Sequence, residues 1–365
     1  MKEVPASLFR KRINIVDGFR GLAILLVIGY HYTTFFTFGW IGVDLFFVLS
    51  GFLITGKLLE SAGHRNYFSS FYLKRLLRIG PLYFFVLFVS FILVPFVWPA
   101  TVSSSFAALL KAQGYYWTFT VNFYDAAHGW PTNITFVPLW SLACEMQFYL
   151  IWPFIVLILC RLRKESQLLL LAVFILGAFL FREYGNRLGY SIFLYRYVLL
   201  PSRLDAFACG AFIVVCLKNN WFTSILKKGW IISIVSLLMA LCSVLYFRRL
   251  WLFGMEPVNE WGYTLNALFW TGIFSSVWLG GPIPLRLLSM KVLTAAGKYS
   301  YAMYIFHVPV KIILTKLTAG WFIPQYLVIF ISLAVTIGCS VISYHLLEKR
   351  FLYFKDNMVK QFLPG

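Results

Sequence analysis

Histidine, aspartate, glutamate and arginine stand at a few positions inside long runs of leucine, isoleucine, valine and phenylalanine. A polar group at membrane depth is costly, so each is a candidate for chemistry. The first run opens Asp17-Gly-Phe-Arg20-Gly and ends Tyr30-His31-Tyr32. Arg20 and His31 are about three helical turns apart, on one face, at a separation of about 16 Å. A histidine there can be a structural donor, a proton-relay member or a general base. A tight connection near Thr37-Phe38-Gly39-Trp40 folds the chain back and brings Asp44 to the depth of His31. A carboxylate beside an imidazole fixes its tautomer and raises its basicity, as a base that activates a hydroxyl requires. The alternative is a hydrogen bond that pairs two helices.

Further along, Lys74, Arg75 and Arg78 share one helical face and suit the phosphates of a large anion. Basic residues at a cytoplasmic helix end are also what membrane topology alone produces. Ser141, Glu145 and Tyr149 recur every four residues as a polar stripe. Such a carboxylate can bind substrate, shuttle protons or pair with an arginine of another helix. Arg203 and Asp205, two apart after Pro201, face roughly opposite ways on a helix and need different partners, with Glu145 and Asp44 the candidates for one of them. His307, before Pro309, reads as structural, and His345 with Glu348-Lys349-Arg350 reads as boundary decoration. The six cysteines lie in apolar stretches without a CxxC pair, so no metal site is expected. Tyr115-Tyr116-Trp117 is either a sugar-stacking platform or part of an interfacial aromatic belt.

These residues must be positioned by membrane helices. The 365 residues are 61% hydrophobic and 12% charged, with a net charge of +19. Soluble domains are roughly 45–50% apolar and about 25% charged. An ordinary cytosolic enzyme, a disordered chain and a nucleic-acid-binding domain are thereby excluded. Spans of about 20 apolar residues are expected at 14–36, 41–59, 79–98, 139–160, 167–183, 197–217, 229–247, 262–280, 292–316 and 323–347. The expected fold is an all-α integral membrane protein of about ten transmembrane helices, a single membrane domain over 1–365. With the N-terminus in the cytoplasm, most of the 32 Lys and Arg fall in 1–20, 56–78, 161–164, 218–228, 286–298 and 349–360, whereas the outer segment 99–138 holds only Lys111. An even number of spans then makes both termini cytoplasmic.

The runs Asp17-Gly-Phe-Arg20-Gly to His31, Gly42-Val-Asp44-Leu-Phe-Phe-Val-Leu-Ser50-Gly51, Phe71-Tyr-Leu-Lys-Arg75-Leu-Leu-Arg78, Trp140-Ser-Leu-Ala-Cys-Glu145-Met-Gln-Phe-Tyr149, Arg203-Leu-Asp205 to Gly210 and Gly297-Lys-Tyr-Ser-Tyr301 to His307 follow one another in order. Together they resemble acyltransferase family 3, the integral-membrane O-acyltransferases, over residues 12–350. The resemblance implies transfer of an acyl group, usually acetyl, from cytoplasmic acyl-CoA to a hydroxyl. The usual acceptor is a sugar of a cell-envelope glycan or lipid-linked saccharide, in the bacterial cytoplasmic (inner) membrane. Acyl-CoA is then a co-substrate and no tightly bound cofactor is implied. The family's Arg-ten residues-His pairing maps onto Arg20 and His31, its Arg-x-x-Arg motif onto Arg75 and Arg78, and its glutamate onto Glu145. Met146 departs from the pattern, since many relatives carry a second acidic residue there. Many relatives also append a periplasmic domain; the sequence stops at 365, and a stand-alone form is expected.

The mechanism expected from these parts has Arg75 and Arg78, helped by Arg20 or Lys74, on the phosphates of acyl-CoA. The thioester reaches a polar cavity lined by spans one, two, four and six. His31, oriented by Asp44, acts as general base, and an acyl-histidine intermediate stays open as the alternative chemistry. Glu145, with Ser141 and Tyr149, positions the acceptor or polarises the thioester, while Arg203 and Asp205 shape the acceptor-facing side. The rival reading is a proton-coupled transporter or flippase using the same residues as a relay. Internal repeats would favour it, and none is visible in the sequence.

Overall fold

The computed structural model describes residues 13–97, 103–185, 192–247, 258–283 and 285–354. Helices account for almost all of it, and no strand occurs among the described residues. In order they are α1 (Ile13–Tyr32), α2 (Ile41–Ser61), α3 (Tyr67–Phe88), α4 (Ser104–Lys111), α5 (Gln113–Trp117), α6 (Val121–His128), α7 (Leu139–Arg161) and α8 (Lys164–Gly185). Then follow α9 (Ile192–Val198), α10 (Leu200–Asn219), α11 (Thr223–Lys227), α12 (Gly229–Phe247), α13 (Tyr263–Trp278), α14 (Leu285–Leu288), α15 (Lys291–Thr318) and α16 (Gln325–Ser343). Wide π turns extend α3 at Val89–Leu93, precede α13 at Val258–Gly262 and extend α16 at Tyr344–Glu348.

Among the described residues eight helices are long and apolar enough to cross a membrane, so this is an all-α, multi-pass membrane protein. Two of the ten expected spans fall short of that standard although both are helical. The segment 262–280 yields the 16-residue α13. The segment 292–316 lies in α15, whose 28 residues carry Lys291, Lys298, Lys311 and Lys316. Helix dominates because backbone groups in lipid must be satisfied within the segment itself.

The chain divides into two compact units. One comprises residues 1–62 and 152–300, the other 63–151 and 301–365, so α7 and α15 each contribute to both. In the first unit α2 and α10 are the most buried spans, while α8 and α12 turn leucines, valines and isoleucines outward. Gly51 of α2 faces the carbonyl of Phe207, and Gly210 of α10 faces the carbonyl of Val48. Any Cβ at either position would sit about 2 Å from that oxygen, so the backbones meet at a small-residue crossing of the kind that packs helices without a hydrophobic driving force. Asp44 against Arg203, Phe47 against Phe207 and the N–H of Phe52 against Gly210 advance together along both chains, so the two helices are parallel. Phe47 stacks on Phe207 with ring centroids 4.6 Å apart, and Phe19, Phe52, Phe274 and Trp278 fill the neighbouring core. Pro201 lies in the first turn of α10, where its missing N–H costs nothing. Asn220 ends that helix in a left-handed conformation, with Trp221 N donating to Cys216 O at 2.9 Å.

In the second unit α3 packs with the short helices α4 to α6, which lie outside the spans. Ser103 caps α4 by accepting from Phe106 N at 3.3 Å. Tyr83 of α3 donates to Tyr116 O at 2.8 Å, and its ring stacks on Phe119 at 4.2 Å. On α16, Ser332, Thr336 and Ser340 form the buried file, and their hydroxyls turn back to the helix's own carbonyls or pack inward.

Candidate active-site residues

In the first unit the crossing of α2 and α10 also places the charges. Asp44 lies two turns before Gly51, and Arg203 two turns before Gly210, so the parallel register that brings the glycines together sets Asp44 against Arg203. The two form an ion pair, with 0% and 1% of the side chains exposed. Arg203 lies over the ring of Tyr263 at 4.3 Å and that of Tyr197 at 5.4 Å. Asp205, facing the other way, pairs with Arg182 of α8 at 2.9 Å. It also accepts from Thr264 Oγ1 at 2.6 Å and from the N–H of Ala206 at 2.9 Å. Arg182 further donates to the carbonyl of Ser202. Two arginines and two aspartates thus neutralise each other in a buried network. Such pairs are held less for their net energy than because losing one partner strands a charge.

Asp44 therefore pairs with Arg203, and the expected Asp44–His31 pairing gives way to it. A guanidinium fixed on the facing helix wins the carboxylate because an unpaired arginine at that depth would cost several kcal/mol. The imidazole is fixed differently: Nδ1–H of His31 donates to Val27 O, one turn earlier, at 2.9 Å. A carbonyl can only accept, so in the neutral ring Nε2 is the basic nitrogen. The tautomer a general base needs is set by the helix's own backbone. Arg20 pairs with Asp17 at 3.3 Å, which draws it toward its own helix end.

In the second unit the stripe on α7 is realised as expected. Tyr149 donates its hydroxyl to Glu145 one turn earlier. Ser141 Oγ lies 2.6 Å from the hydroxyl of Tyr304 on α15, and both bond the carbonyl of Pro138 at 3.1 Å. His307 is fully buried and its Nδ1–H donates to Tyr304 O at 2.7 Å. Arg75 of α3 reaches the same stripe, its guanidinium carbon 5.7 Å from the ring centroids of both Tyr149 and Phe71. Its Nε is buried without a hydrogen-bond partner among the described residues. Arg78 lies one turn on and is partly exposed. Tyr301 of α15 donates to Ile79 O and interacts electrostatically with Arg78, Glu145 and Glu348.

Several residues here escaped the sequence reading. Glu348 is buried, not boundary decoration, whereas His345, Lys349 and Arg350 are exposed. Arg182 sits at the end of an apolar run, where a snorkelling arginine is the usual inference, and only the fold reveals its aspartate. Tyr116 is buried, so of the outer Tyr-Tyr-Trp run it cannot stack a sugar; Tyr115 is 43% exposed and packs on Tyr124. Asp125 on α6, outside the spans, is 1% exposed, and its Oδ1 has no hydrogen-bond partner among the described residues. Burial raises its pKa to about 8.

With this geometry in hand, the sequence can be placed. Residues 13–345 match the acyltransferase domain family, and the chain belongs to it. It is similar to peptidoglycan O-acetyltransferase OatA of Listeria monocytogenes serovar 1/2a, 35% identical over 46% of this chain and 28% of that protein. It also resembles the "Putative O-acetyltransferase SAR0937" of Staphylococcus aureus (strain MRSA252), 27% identical over 95% of this chain and 60% of the relative. The "Putative peptidoglycan O-acetyltransferase YrhL" of Bacillus subtilis (strain 168) is 28% identical over 92% of this chain and 54% of its own length. The chain thus spans less than two thirds of the length of each of these relatives. No solved structure matches it.

Proposed function

We propose that the chain is a membrane O-acetyltransferase that takes an acetyl group from acyl-CoA and places it on a hydroxyl of a cell-envelope glycan. The observation that carries this reading is the Arg75–Tyr149–Glu145 arrangement. A guanidinium with an unmet buried donor is stacked on a tyrosine that is itself fixed by a carboxylate. Such a group is preorganised for an anion: the aromatic ring holds its plane, and the donor has no competing partner to release. Arg75 and Arg78 hold phosphates of the donor. Glu145 and Tyr149 keep Arg75 in place and present a hydroxyl and a carboxylate to the bound group. The relatives named for peptidoglycan support a glycan as the acceptor.

His31 takes the proton of the acceptor hydroxyl on Nε2 as the new ester bond forms and the thioester C–S bond breaks. It then returns that proton to the departing thiolate. Arg203 and Asp44, with Arg182 and Asp205, hold the helix pair α2 and α10 together in the unit that carries His31. We place the protein in the bacterial cytoplasmic membrane, with the donor on the cytoplasmic side.

The test is thiol release from acetyl-CoA by the full chain in proteoliposomes, with a glycan acceptor. Arg75→Gln and Arg78→Gln should raise KM for the donor at least tenfold, while His31→Ala should lower kcat. If His31→Ala left transfer intact, the base assignment would be abandoned. Acetyl trapped on His31 itself would support the covalent route instead.

A further inference from the structure

Glu348 stands out among groups the mechanism leaves unused. The rest of α16 offers lipid a face of Tyr326, Leu327, Phe330, Ile337 and Ile342. Its own neighbours Lys349 and Arg350 are exposed, yet Glu348 is buried. In an uninterrupted α-helix each step of four residues advances about 40° round the axis, so a residue two steps beyond Ser340 would lie about 80° from the buried file. The π turn over Tyr344–Glu348 takes up that advance and packs its residues against α3. Single π turns inside helices often mark functional positions. Here the turn delivers a carboxylate to the Arg-x-x-Arg face.

Glu348 interacts electrostatically with Arg78 and with Tyr301, which in turn interacts with Arg78 and Glu145. Ser343 Oγ donates to Glu348 Oε1 at 3.5 Å. No ion pair closes between Arg78 and Glu348 among the described residues. The two charges therefore attract across a gap instead of locking together. With Arg75 and Glu145 on the α7 side, the cluster sets two arginines against two carboxylates.

We propose that Glu348 is the resident counter-ion of Arg78 and a specificity-determining residue of the anion site, an inference that rests on the reading of Arg75 and Arg78 as phosphate-binding. A ligand must displace its influence to gain Arg78. An anion bearing one phosphate gains little from such a cluster. One that spans both arginines with several phosphate charges gains from each. The same competition speeds departure of the thiol product, which carries the same phosphates as the donor.

Binding of adenosine 3′,5′-bisphosphate and of AMP to the full chain in detergent tests this at fixed ionic strength. Glu348→Gln should bind the bisphosphate about tenfold tighter and lose discrimination against AMP, while Glu348→Asp, which keeps the charge, should behave as wild type. In an Arg78→Gln background the same glutamine substitution should change nothing. A merely structural glutamate predicts looser binding in Glu348→Gln, and that result, or unchanged affinity, overturns the proposal. Should Glu348→Gln fail to fold, Glu348→Ala carries the same expectation of tighter binding. If neither Arg75→Gln nor Arg78→Gln weakens bisphosphate binding, the phosphate reading of the arginines falls first, and that outcome is distinct from a failure confined to Glu348.

Discussion

Replacing Asp44 by asparagine keeps the shape of the side chain and removes the charge that faces Arg203. The guanidinium stays where it was, 1% exposed and walled by Tyr263, Tyr197 and Phe47. Its remaining partners are π faces, each worth about 0.5–2 kcal/mol, and Asp205, whose charge is already paired with Arg182. Stranding a buried charge in this way costs about 3–5 kcal/mol. A second substitution, Arg203→Met, removes the stranded charge and leaves an apolar side chain against the same rings. Replacement of a buried ion pair by packed hydrophobic residues is often neutral, so Asp44→Asn/Arg203→Met should recover most of the loss. The assay is a double-mutant cycle of unfolding in mixed detergent micelles, read by SDS titration, with thermal shift as a second probe. A coupling energy of at least about 1–3 kcal/mol is expected for directly contacting residues. Additive single effects, or an Asp44→Asn chain as stable as wild type, would refute the register that sets α2 against α10.

Other consequences can be measured alongside. Gly51→Leu and Gly210→Leu should prevent accumulation of folded protein, because their side chains start about 2 Å from a backbone oxygen; monodisperse elution at wild-type yield would argue against the crossing. Tyr149→Phe should keep the ring beneath Arg75 but remove the hydroxyl that bonds Glu145, lowering kcat/KM for the donor about tenfold with smaller effect on thermal stability, as steady-state kinetics would show. Asp125 titrates well above the ordinary carboxylate range, at about 8, so folding takes up a proton between about pH 4 and pH 8. Its contribution is present in full below the unfolded pKa and is lost as pH rises through 8, on the order of a few kcal/mol. Asp125→Asn should flatten that part of the stability–pH profile, and an unchanged profile would count against the buried neutral acid.

The helices were legible because lipid forces long apolar runs and because the breaks between them carry proline, glycine and charge. The stripe of Ser141, Glu145 and Tyr149 was legible for a local reason: a spacing of four defines one helical face without any knowledge of neighbours. Arg203 and Asp205 could be said to need separate partners from their spacing alone. Asp44 stood with Glu145 among the candidate partners, and Arg203 takes it; Arg182, which takes Asp205, lies on another helix with no local signal to mark it. Depth alone could set Asp44 beside His31 or leave it to Arg203, and the buried guanidinium takes the carboxylate. Glu348 was misread because its inward direction depends on a π turn that the sequence of Tyr344–Glu348 does not announce. The shortness of α13 and the lysines of α15 likewise separate helical segments from segments that meet the standard of a span.

The account stands or falls on where the acetyl group goes. Reconstituted wild-type chain, given isotopically labelled acetyl-CoA and a peptidoglycan-derived saccharide, should yield the labelled O-acetyl sugar by mass spectrometry. His31→Ala should reduce that product by about 10²–10⁴-fold, and Arg75→Gln should lose it at low donor concentration and regain it in part at high. Movement of the saccharide across the vesicle membrane without label transfer, or a His31→Ala chain with undiminished product, would contradict the central claim.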